Sequence, residues 1–154
     1  MPSTDTSPRG ADEALHDLAR DLSMRAVGAV GLAGIALIHL LDAIGKYHET
    51  RYLFWMYVAL IVASLATAGA VLVSHRPIVW SVAATLSAAT IAGYVLSRTT
   101  GLPNATDDVG NWTEPLGLAS LFVEGSVVAL SSYALRVSRT TTATLRRLRT
   151  VPAH

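Results

Sequence analysis

The residue with the clearest chemical potential in this sequence is Glu124, the single charged residue in the apolar stretch from Pro115 to Leu135. A carboxylate inside a membrane is costly and usually faces a partner, a cavity or a pathway. Glu124 lies roughly 13 Å beyond Pro115 at 1.5 Å per helical residue, which is close to the middle of a bilayer. We therefore expect a polar site around Glu124.

A second group of polar residues lies near the end of the first apolar stretch. His39, Asp42 and Lys46 are spaced i, i+3 and i+7 and therefore share one face of a helix. His39 is expected about one helical turn from the depth of Glu124, within reach of a glutamate side chain. We predict one site for a small polar ligand or a proton, formed by five residues: His39, Asp42, Tyr94, Ser120 and Glu124.

A metal ion is an alternative occupant of this region. Imidazole and carboxylate groups suit Zn, Fe or Cu, which makes His39, His48, Glu49 and Glu124 candidate ligands. Their spacing matches neither the Glu-x-x-His repeat of di-iron bundles nor the HExxH motif. Haem held by two histidines is disfavoured, because His39 lies inside an apolar stretch whereas His75 is expected at the opposite membrane face.

Three interpretations of Glu124 stay open. In a structural role, the residue is protonated or hydrogen-bonded to His39, Tyr94 or Ser120 and joins neighbouring helices. In a second interpretation it lines a proton or ion pathway, and in a third it binds the metal ion or small ligand.

Arg98 ends the third apolar stretch and is expected to form an ion-pair cluster on the outer side. Its candidate partners are Asp42, Glu49 and Glu114, of which Glu114 is the one that we select. The alternative is an arginine whose guanidinium group simply reaches the membrane interface.

Four stretches of the chain must position these residues. The sequence is 51% hydrophobic and 15% charged, with a mean hydropathy of +0.42, and a helix needs roughly 20 apolar residues to cross a membrane. Continuous runs of this length lack the alternation of barrel strands. The sequence predicts an all-α, integral membrane four-helix bundle over residues 26–135, with spans at about 26–45, 53–73, 79–97 and 115–135.

The distribution of Lys and Arg predicts that both termini are cytoplasmic. Nine of these twelve residues would then lie inside, against Lys46, Arg51 and Arg98 outside, which is the bias of the positive-inside rule. The chain has no continuous basic face for nucleic acid, and its partner is expected to be the lipid bilayer. The absence of cysteine excludes disulfides and thiolate metal sites.

The flanking segments have distinct characters. In residues 1–25, apolar side chains recur at helical spacing, which predicts an amphipathic helix on the cytoplasmic face. These side chains are Ala11, Ala14, Leu15, Leu18 and Leu22. Residues 136–154 form a basic cytoplasmic tail that either anchors the topology or binds anionic headgroups.

Small and polar residues predict how the spans pack. Glycine and alanine rows, such as Ala84, Ala88 and Ala92 in the third span, favour close packing within one chain or between subunits. Polar stripes that include Ser64, Ser87 and Ser131 mark the interior, since a face in contact with lipid would not keep them. A monomer, a homo-oligomer and a complex with another membrane subunit stay open.

One part of the sequence resembles a known group. Residues 97–103, SRTTGLP, and 112–124, WTEPLGLASLFVE, are similar to a segment of small four-span membrane proteins encoded by actinobacteria. The resemblance covers the third span to the fourth, roughly a third of the chain. It implies a similar fold and a bacterial plasma-membrane location, and it transfers no activity and no functional residue.

Together these features predict a small binding or accessory subunit with a polar site on the outer side. The alternatives are an oligomeric transporter or channel in which Glu124 lines the path, a membrane-embedded redox or hydrolytic enzyme subunit that uses a metal, and a structural partner of a larger complex. The sequence has no GxSxG, P-loop or dinucleotide-binding motif.

Overall fold

The computed structural model describes residues 8–149, with side chains described for residues 10–138. Within this range the chain forms four α-helices and no strand: α1 (Pro8–Glu49), α2 (Arg51–Val73), α3 (Pro77–Thr99) and α4 (Pro115–Arg149). Each helix contains a stretch long and apolar enough to cross a membrane. The predicted all-α architecture, with four helices long and apolar enough to cross a membrane, is confirmed for these residues.

The helix boundaries follow from local chemistry. Pro8, Pro77 and Pro115 each begin a helix, where the N–H that proline lacks would have no helical partner. Thr50 alone separates α1 from α2, and its extended backbone (φ −146°) reverses the chain. We call this end of the bundle, with Thr50 and residues 100–114, the loop end, and the end with residues 74–76 the turn end.

Two helices are longer than the spans predicted from the sequence. α1 includes the predicted amphipathic segment, because residues 11–27 contain no proline or glycine to interrupt the helix. Leu15, Leu18 and Leu22 in this segment are exposed, and its position on a membrane surface stays a prediction. α4 continues through part of the basic tail to Arg149, and residues 150–154 of that tail lie outside the described chain.

The helices do not pack equally against one another. α1 makes its largest contact with α2 and also packs on α4, which in turn packs on α3. The smallest of these contacts joins α2 to α3, although only residues 74–76 connect them in sequence. The interior of the bundle is therefore least enclosed between α2 and α3.

Close approach of α1 to its neighbours depends on small residues. A Cβ atom at Gly31 would lie 2.6 Å from Val127 on α4, and one at Gly28 would lie 2.9 Å from the Trp80 ring on α3. By contrast, Ala88 and Ala92 of the α3 alanine row are exposed. Ala84 of the same row is half-buried, so only the two exposed alanines lie outside the interior packing.

The predicted polar stripes face the interior. Ser64, Ser87, Glu124 and Ser131 come from three helices and are all 0% exposed. They lie in a core that is otherwise apolar and includes Leu32 and Ile35. The expectation that these stripes mark the inside of the bundle is confirmed.

At the turn end, Arg25 ties α1 to the end of α2. Its guanidinium donates hydrogen bonds to the carbonyl oxygens of Ser74 (2.8 Å) and Val71 (3.2 Å), contacts the His75 ring and pairs with Asp21 at 2.7 Å. Carbonyl groups at a helix C-terminus have no partner within the helix. Arg25 supplies such a partner and so fixes the position of α1 relative to the turn.

Candidate functional site

A cavity of about 270 Å³ lies in the loop-end half of the bundle. All four helices and the 100–114 loop contribute to its wall. The volume is just below the roughly 300–1,000 Å³ of sites for drug-sized ligands. The side chains that line it form a charged rim, a polar floor and an apolar side.

Arg98, at the end of α3, organises the rim. The side chain is buried, and its guanidinium pairs with Asp108 at 2.6 Å and with Glu114 at 3.2 Å. The same group stacks on the Tyr94 ring, 4.9 Å from its centroid. Arg98 thus joins the loop to the start of α4, while its Nε atom is buried without a hydrogen-bond partner in the described part of the chain.

The loop reaches Arg98 because its backbone turns back on itself. Gly101 and Gly110 have φ angles of +75° and +82°, a region that L side chains rarely adopt. The Gly110 N–H then donates to the Arg98 carbonyl oxygen at 2.9 Å. This fold of the loop brings Asp108 beside the guanidinium group.

Lys46, on α1, forms the other positive part of the rim. Its ammonium group lies 3.0 Å from Glu49 and 3.8 Å from Asp108. Both cations that line the cavity in the described chain are therefore already paired with carboxylates. Asp42, one turn before Lys46, lines the cavity and has no ion pair within 4.0 Å among the described residues.

The floor of the cavity is formed by His39, Tyr57 and Ser120. His39 Nδ1 donates to the carbonyl oxygen of Ile35 at 2.9 Å, and the imidazole packs edge-to-face with Tyr57 at 5.2 Å between ring centroids. The Tyr57 hydroxyl interacts in turn with Asp42. These contacts fix the orientation of the histidine and direct its Nε2 atom towards α4.

Glu124 lies directly beneath this floor. The residue is completely buried. Its Oε1 atom accepts a 2.6 Å hydrogen bond from Ser120 and lies 4.0 Å from His39 Nε2. Its Oε2 atom has no hydrogen-bond partner among the described residues, and neither have the buried hydroxyls of Ser64, Ser87 and Ser131. Burial of an unpaired polar atom typically costs about 1–3 kcal/mol. These four atoms therefore destabilise the bundle unless another group supplies their hydrogen bonds.

The structure brings the five predicted ligand-site residues to one region. His39, Asp42, Tyr94 and Ser120 line the cavity, and Glu124 is bonded to Ser120 beneath it. Of the partners considered for Glu124, Tyr94 does not bond to it, because the Tyr94 hydroxyl donates to the Trp112 carbonyl oxygen at 3.3 Å.

The four candidate metal ligands do not come together. His39 and Glu124 approach each other to 4.0 Å, whereas His48 and Glu49 are exposed at the end of α1, where Glu49 pairs with Lys46. Over the described range, no group of three or more His, Asp or Glu side chains has the arrangement of a metal site. The physical reason is helix length, since nine residues of helix separate His39 from His48 by about 13 Å.

Two residues of the site were missed by the sequence analysis. Asp108 could not be placed because its position depends on the positive φ angles of the loop. Tyr57 was not selected as a site residue, because nothing in the spacing indicated its contact with His39. The partner of Arg98 selected from the sequence, Glu114, lies at 3.2 Å, and Asp108 is closer still at 2.6 Å.

Comparison of this chain with family models, curated proteins and solved structures found no match.

Proposed function

We propose that this chain is a small membrane-embedded binding or accessory subunit whose loop-end cavity takes a small polar molecule. The observation that carries the proposal is the cavity itself, a space of about 270 Å³ with a charged rim and a polar floor inside an otherwise apolar bundle. Polar side chains in a membrane helix are expensive, so their concentration around one cavity favours a binding role.

The orientation belongs to the same proposal. The excess of Lys and Arg at the turn end and in both terminal segments favours a cytoplasmic turn end, with the cavity on the outer side. The resemblance to small actinobacterial membrane proteins favours a bacterial plasma membrane. Exposed small residues such as Ala88 and Ala92 leave room for a second copy or a partner subunit.

The absence of cysteine makes a direct test possible. Ser97 lines the cavity, whereas Ser126 is exposed on the outer surface of α4. Both hydroxyls bond to a carbonyl oxygen of their own helix, at 2.8 Å and 2.7 Å, so Ser97→Cys and Ser126→Cys are closely matched variants. A water-soluble methanethiosulfonate should modify Ser97→Cys at least about tenfold faster, because a thiol must ionise in water to react.

A second pair of variants tests whether the cavity itself is responsible. A Cβ at Gly93, in the cavity wall, would meet no atom within 4 Å, and the same holds for Gly69 on the outer surface of α2. Gly93→Leu should fill the cavity and slow the modification of Ser97→Cys, whereas Gly69→Leu should not. Equal modification of the Ser97 and Ser126 thiols, or no effect of Gly93→Leu, would contradict the proposal.

A second candidate function is favoured by the polar atoms below the floor. Ser120, Glu124 and Ser131 lie on one face of α4 and continue from the cavity into the core, where Ser64 and Ser87 also have unpartnered hydroxyls. Such a series suits proton or ion transport in which Glu124 lines the path. In proteoliposomes with an internal pH indicator, transport should be lost in Glu124→Gln and retained in Ser126→Ala. Unchanged flux in Glu124→Gln would contradict this candidate.

The metal-dependent enzyme alternative has less support from the geometry. It depends on His39 and Glu124 as the two protein groups that approach each other, and a catalytic zinc site typically uses three protein ligands. Elemental analysis of protein purified without chelator or affinity metal tests it. Stoichiometric Zn, Fe or Cu that disappears in both His39→Ala and Glu124→Gln would establish the alternative.

A further inference from the structure

We propose that the cavity binds a small organic cation with an apolar body, its positive group beside Asp42 and its apolar part between α2 and α3. This inference rests on the proposed binding function and specifies the chemical class of the ligand.

The charges that line the cavity favour a cation. Asp42, Asp108 and Glu114 contribute three negative charges, against two positive charges from Lys46 and Arg98. Asp108 and Glu114 are bound to Arg98, and Lys46 is paired with Glu49 and Asp108. An anionic ligand would have to compete with these carboxylates for both cations, whereas a cation meets one carboxylate that is free of ion pairs.

The surroundings of Asp42 suit an organic cation. The Tyr57 hydroxyl interacts with this carboxylate, and the Tyr57 ring lines the cavity beside it. An aromatic face attracts an ammonium group within about 6 Å of its centroid. Lys46 also interacts electrostatically with Asp42, but its ammonium group is paired with Glu49 and Asp108.

The opposite side of the cavity suits an apolar group. Met56 and Leu60 of α2 face Leu86 and Ala89 of α3 across the gap in which these two helices make their smallest contact. Met56 is 59% exposed and Ala89 is also exposed, so this side of the cavity borders the outer surface of the bundle. In a membrane that surface meets lipid, and the arrangement therefore fits an amphiphile whose apolar part lies between α2 and α3.

The test uses four soluble probes that separate charge from shape. They are 2-phenylethylammonium, the neutral 2-phenylethanol, the anionic phenylacetate and methylammonium, which has the charge without the apolar body. Each probe is added at increasing concentration, and the rate at which the neutral reagent N-ethylmaleimide modifies Ser97→Cys is measured in mild detergent. We expect 2-phenylethylammonium to protect the thiol at a concentration at least about tenfold lower than each of the other three.

Two further variants locate the positive group. Asp42→Asn should abolish the tenfold preference for the cation, since one unit charge at short range is worth more than a factor of ten in affinity. Asp107→Asn removes the same charge from an exposed loop position that does not line the cavity, and it should keep the preference. Unchanged reactivity of Ser97→Cys without probe shows that each variant retains the cavity.

The outcomes are distinguishable. Equal or better protection by 2-phenylethanol or phenylacetate, or a preference that survives in Asp42→Asn, would overturn the cation while leaving the binding function intact. Equal protection by methylammonium would overturn the apolar body. If none of the four probes slows the reaction, the ligand class is contradicted, whereas the binding function is decided separately by the comparison of the Ser97 and Ser126 thiols and by Gly93→Leu.

Discussion

Ser120 connects the cavity with the buried carboxyl of Glu124. Its side chain lines the cavity, and its hydroxyl donates a 2.6 Å hydrogen bond to Glu124 Oε1 one helical turn deeper. Any ligand that competes for this hydroxyl therefore changes the hydrogen bonding of a carboxyl that it does not touch. The two residues therefore form one hydrogen-bonded unit between the cavity and the core.

The first prediction concerns this hydrogen bond. Ser120→Ala should lower the free energy of unfolding by about 1–2 kcal/mol, because Glu124 loses its one short hydrogen bond in a place closed to water. Ser126→Ala, on the exposed face of α4, should cost less than about 0.5 kcal/mol. Denaturant unfolding in detergent measures both. Equal losses would show that the bond to Glu124 contributes nothing specific.

The second prediction concerns the packing of α1 on α4. Gly31→Ala should lower the free energy of unfolding by about 1–3 kcal/mol, because its Cβ would lie only 2.6 Å from a Val127 methyl group and either that side chain or one of the helices must shift. The matched variant Gly45→Ala places a Cβ in open space on the same helix and should be neutral or slightly stabilising. Thermal unfolding of the two variants checks this, and a destabilised Gly45→Ala with an unaffected Gly31→Ala would refute it.

The third prediction concerns Arg98. Arg98→Lys should lower the free energy of unfolding by about 1–2 kcal/mol and increase hydrogen exchange in the 100–114 loop, since an ammonium group cannot pair with Asp108 and Glu114 in the geometry of the guanidinium fork. Arg51→Lys changes an exposed arginine at the start of α2 and should have little effect. Protection of the Gly110 amide, which bonds to the Arg98 carbonyl oxygen, is the most direct readout. Unaltered exchange there would mean that the ion pairs do not hold the loop.

The fourth prediction concerns orientation. Ala11 and Asn111 are exposed at opposite ends of the bundle, in the N-terminal part of α1 and in the loop. In intact cells, an impermeant thiol reagent should label Asn111→Cys and leave Ala11→Cys unlabelled until the membrane is opened, because the Lys and Arg bias favours a cytoplasmic N-terminus. The reverse pattern would invert the topology and place the cavity on the cytoplasmic side.

The sequence predicted the spans well because helix length and apolar composition are local properties. The predicted span 53–73 differs from α2 by two residues at one end, and polar residues such as Ser64 and Ser87 are buried as expected. The full length of α1 was not predicted, because the change from polar to apolar composition near residue 26 does not require a break in the helix. A change from polar to apolar residues alters which surroundings suit a helix, but it does not end the helix.

The site was predicted in part, and the reason is again physical. Helical spacing placed His39 and Asp42 on one face. The depth in the membrane, obtained by counting residues along each helix, placed His39 near Glu124, and in the structure His39 Nε2 lies 4.0 Å from Glu124 Oε1. Asp108 depends on backbone angles within a loop, and the cavity depends on the small contact between α2 and α3. Neither property is encoded in a periodic pattern.

The hydrogen bonds of Arg25 fix α1 to the end of α2 at one point along its length. Arg25 holds the helix at the end of α2, with His39 about 21 Å away on one side and Pro8 about 26 Å away on the other at 1.5 Å per residue. A tilt of α1 by about 5° around Arg25 would move its N-terminal end by about 2 Å. A change in the tilt of α1 at the cavity would therefore be accompanied by a displacement of its N-terminal end, at the opposite end of the bundle.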